Sequence, residues 1–203
     1  MRLSLTQESS KNFIEHAVRQ VAQEKNIIDV GGGERFTKWL APYEALFKGK
    51  TYRTLDSDPT THPDILGSVS DIPLEDASAD AILCSSVLEH IPDPLRAFSE
   101  IKRILRPGGI LFFYVPSLYP YHARLGHYGD YWRFFNDTIN ELCRDFSSVE
   151  VRKRGGYFLA LSFFVPFQHR MRPLLNFIAQ SLDLLLKTKQ RTTTAGFYVL
   201  ARK

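Results

Sequence analysis

The chain has 203 residues, of which 44% are hydrophobic, and this length suits one well-filled domain better than two. Cys84 and Cys143 are far apart and have no Cys or His at metal-ligand spacing, so neither a disulfide framework nor a metal site is predicted, and a reducing, cytoplasmic setting is expected. The first 20 residues are too polar for a signal peptide, and no apolar run approaches the ~20 residues of a membrane span.

The net charge of +4 is unevenly distributed. Residues 150–203 carry ten Lys and Arg against two acidic residues, whereas residues 1–149 carry 16 against 20. A basic C-terminal part of this kind indicates an anionic partner, which could be a membrane surface, a phosphorylated substrate or a nucleic acid.

Apolar residues at helical spacing predict a leading helix within residues 1–25, followed by a buried strand at Ile27–Val30. Three glycines come next, and Phe36, Trp39 and Leu40 then predict a helix near residues 35–47. Further strands are predicted at 51–55, 64–66, 79–84, 110–115, 149–152 and 197–201, with helices after Asp93-Pro94 and over 136–143. Strands that alternate with helices in this way predict a parallel, doubly wound α/β sheet.

Two neighbouring strand ends suggest a ligand crevice. The first strand ends in Gly31-Gly32-Gly33, and the second ends in Asp56. Glycines let a ligand approach the backbone, and a carboxylate at the end of the adjacent strand suits the two ribose hydroxyls of a nucleoside. The pattern alone is weak, since a turn next to an exposed acid would look the same.

With these elements placed, residues 26–115 resemble the class I S-adenosylmethionine-dependent methyltransferases. The segments that carry the resemblance are Asp29-Val30-Gly31-Gly32-Gly33, Leu55-Asp56, Ser70-Asp71-Ile72-Pro73-Leu74, Ser85-Ser86-Val87-Leu88-Glu89-His90-Ile91-Pro92-Asp93-Pro94 and Glu100 to Gly109. The resemblance implies a seven-stranded, mostly parallel sheet whose last strand is antiparallel, with a helical insertion before that strand. It also implies that residues 1–203 form a single methyltransferase domain that uses S-adenosylmethionine and releases S-adenosylhomocysteine.

The resemblance assigns cofactor contacts residue by residue. It places the ammonium at Asp29 and the glycines, the ribose at Asp56 and Ser57, and the adenine at Asp71 and the backbone of Ile72. Ser85 would line the floor beneath the sulfonium. Arg35 stands where the family usually has a third glycine, and it either points to solvent or pairs with the cofactor's carboxylate.

Methyl transfer needs positioning more than covalent chemistry, but a hydroxyl acceptor also needs a base. His90 follows the fourth strand and is the first candidate, with orientation of the next loop as the alternative role. His127, Asp130 and His122 are rival bases. As a zinc set, His122, His127 and Asp130 lack a familiar spacing, so no metal is assigned.

The loop of residues 116–135 follows the fifth strand, at the rim where ligands of open α/β sheets bind. It is rich in aromatic and polar side chains, which suit sugar rings, planar groups or a sulfonium, although a hydrophobic plug would also use them. The run Asp130 to Phe134 resembles methyltransferases of bacterial surface-polysaccharide and glycolipid synthesis. The candidate acceptor contacts are Tyr119, His122, Tyr131, Trp132 and Arg133, and the first choice of acceptor is a saccharide hydroxyl.

The insertion at residues 155–191 is apolar with basic flanks. Met171, Leu174, Leu175, Ile178, Leu182 and Leu185 share one helical face, and Asn176, Gln180, Asp183 and Lys187 take the opposite face. Packing over the pocket, a homodimer through residues 157–187, or peripheral contact with the inner face of the membrane are the alternatives.

Two rival functions are an NAD(P)-dependent oxidoreductase and a non-catalytic methyltransferase-like binding subunit. The first fits less well, because the acid directly precedes the glycines and the third glycine is missing. Nucleic acid is not the expected partner, since the aromatic loop is separate from the basic C-terminal part.

Overall fold

The computed structural model describes residues 10–37, 39–165, 168–188 and 193–203. Seven strands form one sheet: Asn26–Val30 (β1), Thr51–Asp56 (β2), Ile65–Leu66 (β3), Ala79–Ser85 (β4), Leu105–Pro116 (β5), Ser148–Lys153 (β6) and Gly196–Arg202 (β7). The α-helices are Ser10–Val21 (α1), Pro94–Ile104 (α2), Asn136–Leu142 (α3), Tyr157–Ser162 (α4) and Gln168–Leu185 (α5).

The strand order is β3-β2-β1-β4-β5-β7-β6. Strands β1 to β5 pair in parallel, and β7 runs antiparallel to both of its neighbours. The predicted fold class is therefore confirmed, including the antiparallel last strand and the helical insertion before it. Because the chain order reverses between β1 and β4, a crevice opens at the carboxyl ends of these two strands.

Hydrophobic clusters cover both faces of the sheet. On one face, Phe13 and Val18 of α1 pack with Phe112 of β5. On the other face, Ile101 of α2 packs with Phe113 of β5. Side chains alternate between the faces along each strand, so the apolar run of β5 serves both clusters.

The predicted helix over residues 35–47 is wrong. The described residues there form turns and a short 3₁₀ helix at Ala41–Phe47, and Phe36 has a φ of +49°. The ring of Phe36 stacks on Tyr52 with centroids 4.4 Å apart, and Phe47 packs beside the same tyrosine. Trp39 instead packs on Phe112 of β5, so the apolar spacing reflects the burial of separate side chains rather than a helical face. No α-helix N-terminus follows the glycine turn in the part of this segment that the structure describes.

The insertion folds as α4 and α5, with an orientation that the sequence pattern does not predict. Asp183, predicted on the polar face, is fully buried, and its carboxylate accepts the backbone N–H groups of Gly156, Phe158 and Leu159. Several apolar side chains of α5 are exposed instead: Met171, Leu174, Phe177, Ile178, Leu184 and Leu185. The expected contact of residues 157–187 with a second subunit or a membrane stays a prediction. No helix among the described residues has the length and apolarity needed to cross a bilayer.

Candidate active site

A cavity of about 620 Å³ opens at the carboxyl ends of β1, β2, β4 and β5. Its walls come from the glycine turn after β1, from residues 55–58, from residues 85–91, and from the loop between Tyr119 and Tyr131. Arg154, which follows β6, closes the far side. The crevice inferred from the strand ends and the loop inferred to bind the acceptor therefore share one cavity.

The glycine turn is tight and close to its neighbours. Gly31 has a φ of +65° and donates its N–H to the Leu55 carbonyl at 2.7 Å. A Cβ at Gly31 would lie 2.4 Å from a methyl group of Val87, and a Cβ at Gly32 would lie 2.4 Å from the Asp29 carboxylate. Only glycine fits both positions without a shift of the turn.

Asp29 lies beneath this turn and is almost completely buried. The Tyr52 hydroxyl donates to its Oδ2 at 2.5 Å. Burial raises the pKa of Asp29 to about 7, although the hydrogen bond from Tyr52 acts in the opposite direction. A buried carboxyl in the cavity wall is suited to accept a cationic group from the cavity.

Asp56 ends β2 on the opposite side of the glycines. Its carboxylate accepts the N–H of Gly33 at 3.2 Å and the N–H of Asp58 at 2.9 Å. The two chain reversals are thus joined through this side chain, which lines the cavity. Asp56, predicted from the strand ends, and Asp29, assigned from the resemblance, both line this cavity.

The structure brings together most of the predicted cofactor residues, namely Asp29, Gly31, Gly32, Gly33, Asp56, Ser57 and Ser85. Asp71 and Ile72 do not line the cavity. Asp71 is exposed, and the N–H of Ile72 donates to Glu100 at 2.9 Å. Ser68 and Val69 line the cavity nearby instead, so their placement favours them as ligand neighbours. The adenine contacts of Asp71 and Ile72 stay a prediction.

Arg35 pairs with Asp64, with Nη2 and Oδ1 2.5 Å apart, and it does not line the cavity. The two expected roles were to point to solvent or to pair with the cofactor's carboxylate, and neither describes this placement fully. It is exposed, yet its charge is matched by a carboxylate of the protein. The residue that replaces the third glycine thus stabilises the segment before β3 rather than facing a ligand.

His90 and His122 meet at the acceptor end of the cavity, with ring centroids 4.8 Å apart. The Nδ1 of His90 lies 2.6 Å from the Gly129 carbonyl, which can only accept, so this nitrogen carries the proton. Proximity of the Glu89 carboxylate raises the pKa of His122 above its ordinary value, while partial burial opposes the shift.

The other two candidate bases have partners of their own. His127 lines the cavity and lies 3.2 Å from Asp58. Asp130 does not line it, because its carboxylate pairs with Arg133 and accepts the backbone N–H of His122. Although burial opposes the shift, the Arg133 guanidinium and the His122 N–H hold the pKa of Asp130 at about 2. The set His122, His127 and Asp130 is therefore not a cluster.

Among the predicted acceptor contacts, Tyr119, His122 and Tyr131 line the cavity, and Trp132 and Arg133 do not. The indole of Trp132 donates to the Pro92 carbonyl at 3.2 Å, and the Arg133 guanidinium donates to the carbonyls of Tyr119 and Pro120. These two side chains hold the loop in place, so the contacts assigned to them stay predictions.

Two cavity residues escape the sequence reasoning. Glu89 is fully buried, and neither of its carboxylate oxygens has a hydrogen-bond partner. Its place directly before His90 in the motif was an available signal. Arg154 donates to the Tyr114 hydroxyl at 2.9 Å and lies near the rings of Tyr119 and Phe163. No local pattern marks Arg154, because its position depends on the pairing of β6 with β7.

The fold and this crevice define a class of protein: α/β proteins that bind a nucleoside cofactor at the carboxyl edge of a mostly parallel sheet. Residues 28–113 match the family model described as a methyltransferase domain. Together with the strand order, the match shows that this part of the chain is similar to the methyltransferase domain of class I S-adenosylmethionine-dependent methyltransferases. The buried carboxyl beside glycines that tolerate no Cβ, and the carboxylate at the end of β2, fit that cofactor.

Individual methyltransferases are also similar to this chain in sequence or in fold. An uncharacterized methyltransferase of Mycobacterium sp. strain KMS is 32% identical over 117 residues, which cover 52% of this chain and 42% of that protein. A human thiol S-methyltransferase is 42% identical over 48 residues, covering 24% of this chain and 20% of that protein. A SAM-dependent methyltransferase from Archaeoglobus fulgidus shares the fold with a TM-score of 0.57 at 13% identity, over 96% of this chain and 95% of that one. The chain thus spans less than half the length of these two sequence relatives.

Proposed function

We propose that the protein transfers the methyl group of S-adenosylmethionine to a hydroxyl group of a small-molecule or saccharide acceptor, with an amine acceptor as the alternative. The observation that carries this proposal is the continuity of the cavity. One space joins Asp29, the glycines and Asp56 to His90, His122 and the aromatic loop. A donor and an acceptor held in one cavity react as if intramolecular, which can lower the barrier by ~7–11 kcal/mol.

On the cofactor side, the bound group supplies a methyl on a cationic sulfur. Asp29 binds the ammonium of the methionine part. The Asp29 carboxyl then gives up its proton and forms an ion pair with this ammonium. Asp56 accepts from the ribose hydroxyls, and Ser85 and Ser86 lie at the end of β4, where the two halves of the cavity meet. None of these groups changes covalently, so their role is to bind and to orient.

On the acceptor side, His90 is placed to receive a proton. Its Nδ1 is held by the Gly129 carbonyl, so in the neutral ring the lone pair is on Nε2, the atom on the side of Glu89. The rings of Tyr119 and Tyr128 add aromatic walls that suit the faces of a sugar. A hydroxyl acceptor needs such a base, whereas an amine that binds unprotonated does not.

The test begins with the cofactor. S-adenosylhomocysteine at a hundred times its Kd should stabilise the folded protein by about 2.7 kcal/mol, and NAD should not. Stabilisation by NAD alone would favour the oxidoreductase. No response to either ligand, together with a stable heteromeric complex, would favour the binding subunit.

The second step uses mass spectrometry to follow methyl transfer to panels of saccharides, amines and thiols, the last because a relative is a thiol S-methyltransferase. His90→Gln should lower kcat by ~10²-fold or more with a hydroxyl acceptor and leave S-adenosylhomocysteine binding unchanged. His62→Asn, outside the cavity lining, is the matched control. Methylation of thiols alone would contradict the proposed acceptor.

A further inference from the structure

Glu89, His90 and His122 bring three potential metal-ligand atoms close together in the cavity wall. The Nε2 atoms of His90 and His122 each lie 3.8 Å from Oε1 of Glu89. One ligand atom from each of the three side chains lies within 4.8 Å of the other two. The distances of 3.8 Å are too long for hydrogen bonds, so these atoms approach each other without binding each other.

In His90 and His122, the partners of Nδ1 determine which ring nitrogen carries the proton. His90 donates Nδ1–H to the Gly129 carbonyl at 2.6 Å. For His122, the nearest polar atoms to Nδ1 are the Pro120 carbonyl and the Asp130 carboxylate, both at 3.1 Å, and the Arg133 guanidinium is farther away at 3.5 Å. Each neutral ring therefore presents an unprotonated Nε2 toward Glu89.

The environment of the Glu89 carboxylate also favours a bound cation. Glu89 is fully buried, it lines the cavity, and neither of its carboxylate oxygens has a hydrogen-bond partner among the residues that the structure describes. A buried carboxylate left in this state costs several kcal/mol unless a cation neutralises it. Two imidazole lone pairs beside it add to the negative potential rather than relieve it.

We propose that Glu89, His90 and His122 bind a divalent transition-metal ion. Metal ligands of this kind lie ~2.0–2.2 Å from the ion, which places neighbouring ligand atoms about 3.4 Å apart in a tetrahedral site. Closing the two 3.8 Å gaps to Glu89 requires movements of a few tenths of an ångström, and the ligand atoms of the two imidazoles, which lie within 4.8 Å of each other, must approach by up to about 1.4 Å. Two imidazoles and one carboxylate with open positions select zinc or ferrous iron over magnesium, which prefers oxygen ligands.

The surroundings have the features of a metal site. Metal-bound histidines almost always donate their second N–H to a carbonyl or a carboxylate, and both rings do so here. Asp130 is in turn fixed by Arg133, so it acts as a positioning residue for His122. The metal site rests on the proposed function and changes one role in it, because Nε2 of His90 would then bind the ion rather than take the acceptor's proton. The ion would hold an acceptor hydroxyl and lower its pKa, and the proton would pass to water.

The experiment measures metal binding directly, without cofactor or acceptor. The full chain, without an affinity tag, is treated with a chelator, dialysed and titrated with Co²⁺ and Zn²⁺, with Co²⁺ absorption and calorimetry as readouts. We expect one equivalent of metal to bind. Glu89→Gln and His122→Asn should each weaken it at least 100-fold, and Asp130→Asn by ~10–100-fold. His62→Asn should bind as the wild type does.

The result that overturns the proposal is a wild-type protein that binds no Co²⁺ or Zn²⁺ beyond the level of Glu89→Gln, or metal affinities of Glu89→Gln and His122→Asn that equal the wild-type affinity. S-adenosylhomocysteine binding, measured on the same samples, reports whether each variant is folded. It also separates the two proposals, since a protein that binds metal but not this ligand would retain the metal site and lose the proposed function. Should Glu89→Gln not fold, the more exposed His122 decides the question through His122→Asn.

Discussion

Asp29 has an ionisation state that depends on what the cavity holds. Burial raises the pKa of its carboxyl to about 7, so in the free protein near pH 6 this group holds a proton. An ammonium brought next to it favours the carboxylate, which lowers the pKa in the complex. Ligand binding must then release a proton in this pH range.

We therefore expect the affinity for S-adenosylhomocysteine to rise with pH below about 7, by up to tenfold per pH unit, and to level off above it. Calorimetry at several pH values, in buffers with different heats of ionisation, measures both the affinity and the released proton. Asp29→Asn should bind more weakly and without this pH dependence. An unchanged proton release in that variant would show that another group titrates.

Asp56→Ala should weaken S-adenosylhomocysteine binding by roughly 1–3 kcal/mol, because buried hydroxyls would lose their acceptor. The change also leaves the N–H groups of Gly33 and Asp58 without their present acceptor. Equilibrium titration gives the affinity, and Asp137→Ala in the first turn of α3 is the matched control. Equal affinities of the two variants would remove Asp56 from the site.

At this scale, the sequence indicates a residue when its position follows from a strand end. Asp56 was predictable because parallel strands place their carboxyl ends at one edge of the sheet, whereas Asp29 was assigned from the resemblance to the methyltransferase family. Arg154 was not predictable, since it depends on long-range pairing of β6 with β7 and on rings from three segments. Trp132 and Arg133 look like ligand contacts by type, yet their side chains bind backbone carbonyls.

At the scale of elements, the N-terminus of α4 is capped by a side chain from another helix. The buried carboxylate of Asp183 in α5 accepts three N–H groups at the start of α4, and the Thr188 hydroxyl donates to it as well. Four donors would lose their acceptor if this carboxylate were removed. Such a cap is worth more than one supplied by a helix's own N-cap residue.

Asp183→Ala should lower the free energy of unfolding by at least about 2 kcal/mol, whereas Gln180→Ala on the exposed side of the same helix should change it by less than ~0.5 kcal/mol. Urea denaturation of both variants measures the difference. Hydrogen exchange of the α4 amides should accelerate in the first variant alone. Equal stability of the two variants would contradict this role.

Asp183 also shows why helical periodicity does not predict how α5 is oriented. The pattern places Asp183 on a polar face, but here Ala179 and Asp183, four residues apart, face the rest of the protein. A charged residue that caps another helix cannot be told from a solvated one in the sequence. Similarly, the apolar spacing near residue 36 has the period of a helix, yet Phe36 packs on Tyr52 and Trp39 packs on Phe112.

At the scale of the whole molecule, two cores share one sheet. Ile27 belongs to the cluster under α1, and Ile101 belongs to the cluster under α2 and α3. The apolar strand β5 and the parallel, doubly wound arrangement of the sheet were predictable, because apolar patterning and the alternation of strands with helices constrain them strongly. The packing of the insertion against the sheet was not predictable, since no periodic pattern in the sequence specifies it.

Ile27→Val and Ile101→Val should each cost ~0.5–1.5 kcal/mol, and the double variant should lie within about 0.5 kcal/mol of their sum, because the two sites share no cluster. The pair Ile82→Val and Ile101→Val, from one cluster, is the comparison that can deviate from additivity. Denaturation curves give all the values. Strong coupling between Ile27 and Ile101 would show that the sheet does not separate the cores.

The ring of Phe163 lies 4.9 Å from Tyr119 and 5.1 Å from the Arg154 guanidinium, both in the cavity wall, and 4.7 Å from Arg172 of α5. One aromatic side chain thus connects the acceptor end of the cavity to the helix with the uncovered apolar face. Thermodynamic reciprocity gives this connection a consequence. A cavity ligand that changes the affinity of α5 for a partner is itself bound more or less tightly, by the same factor, when that partner covers α5.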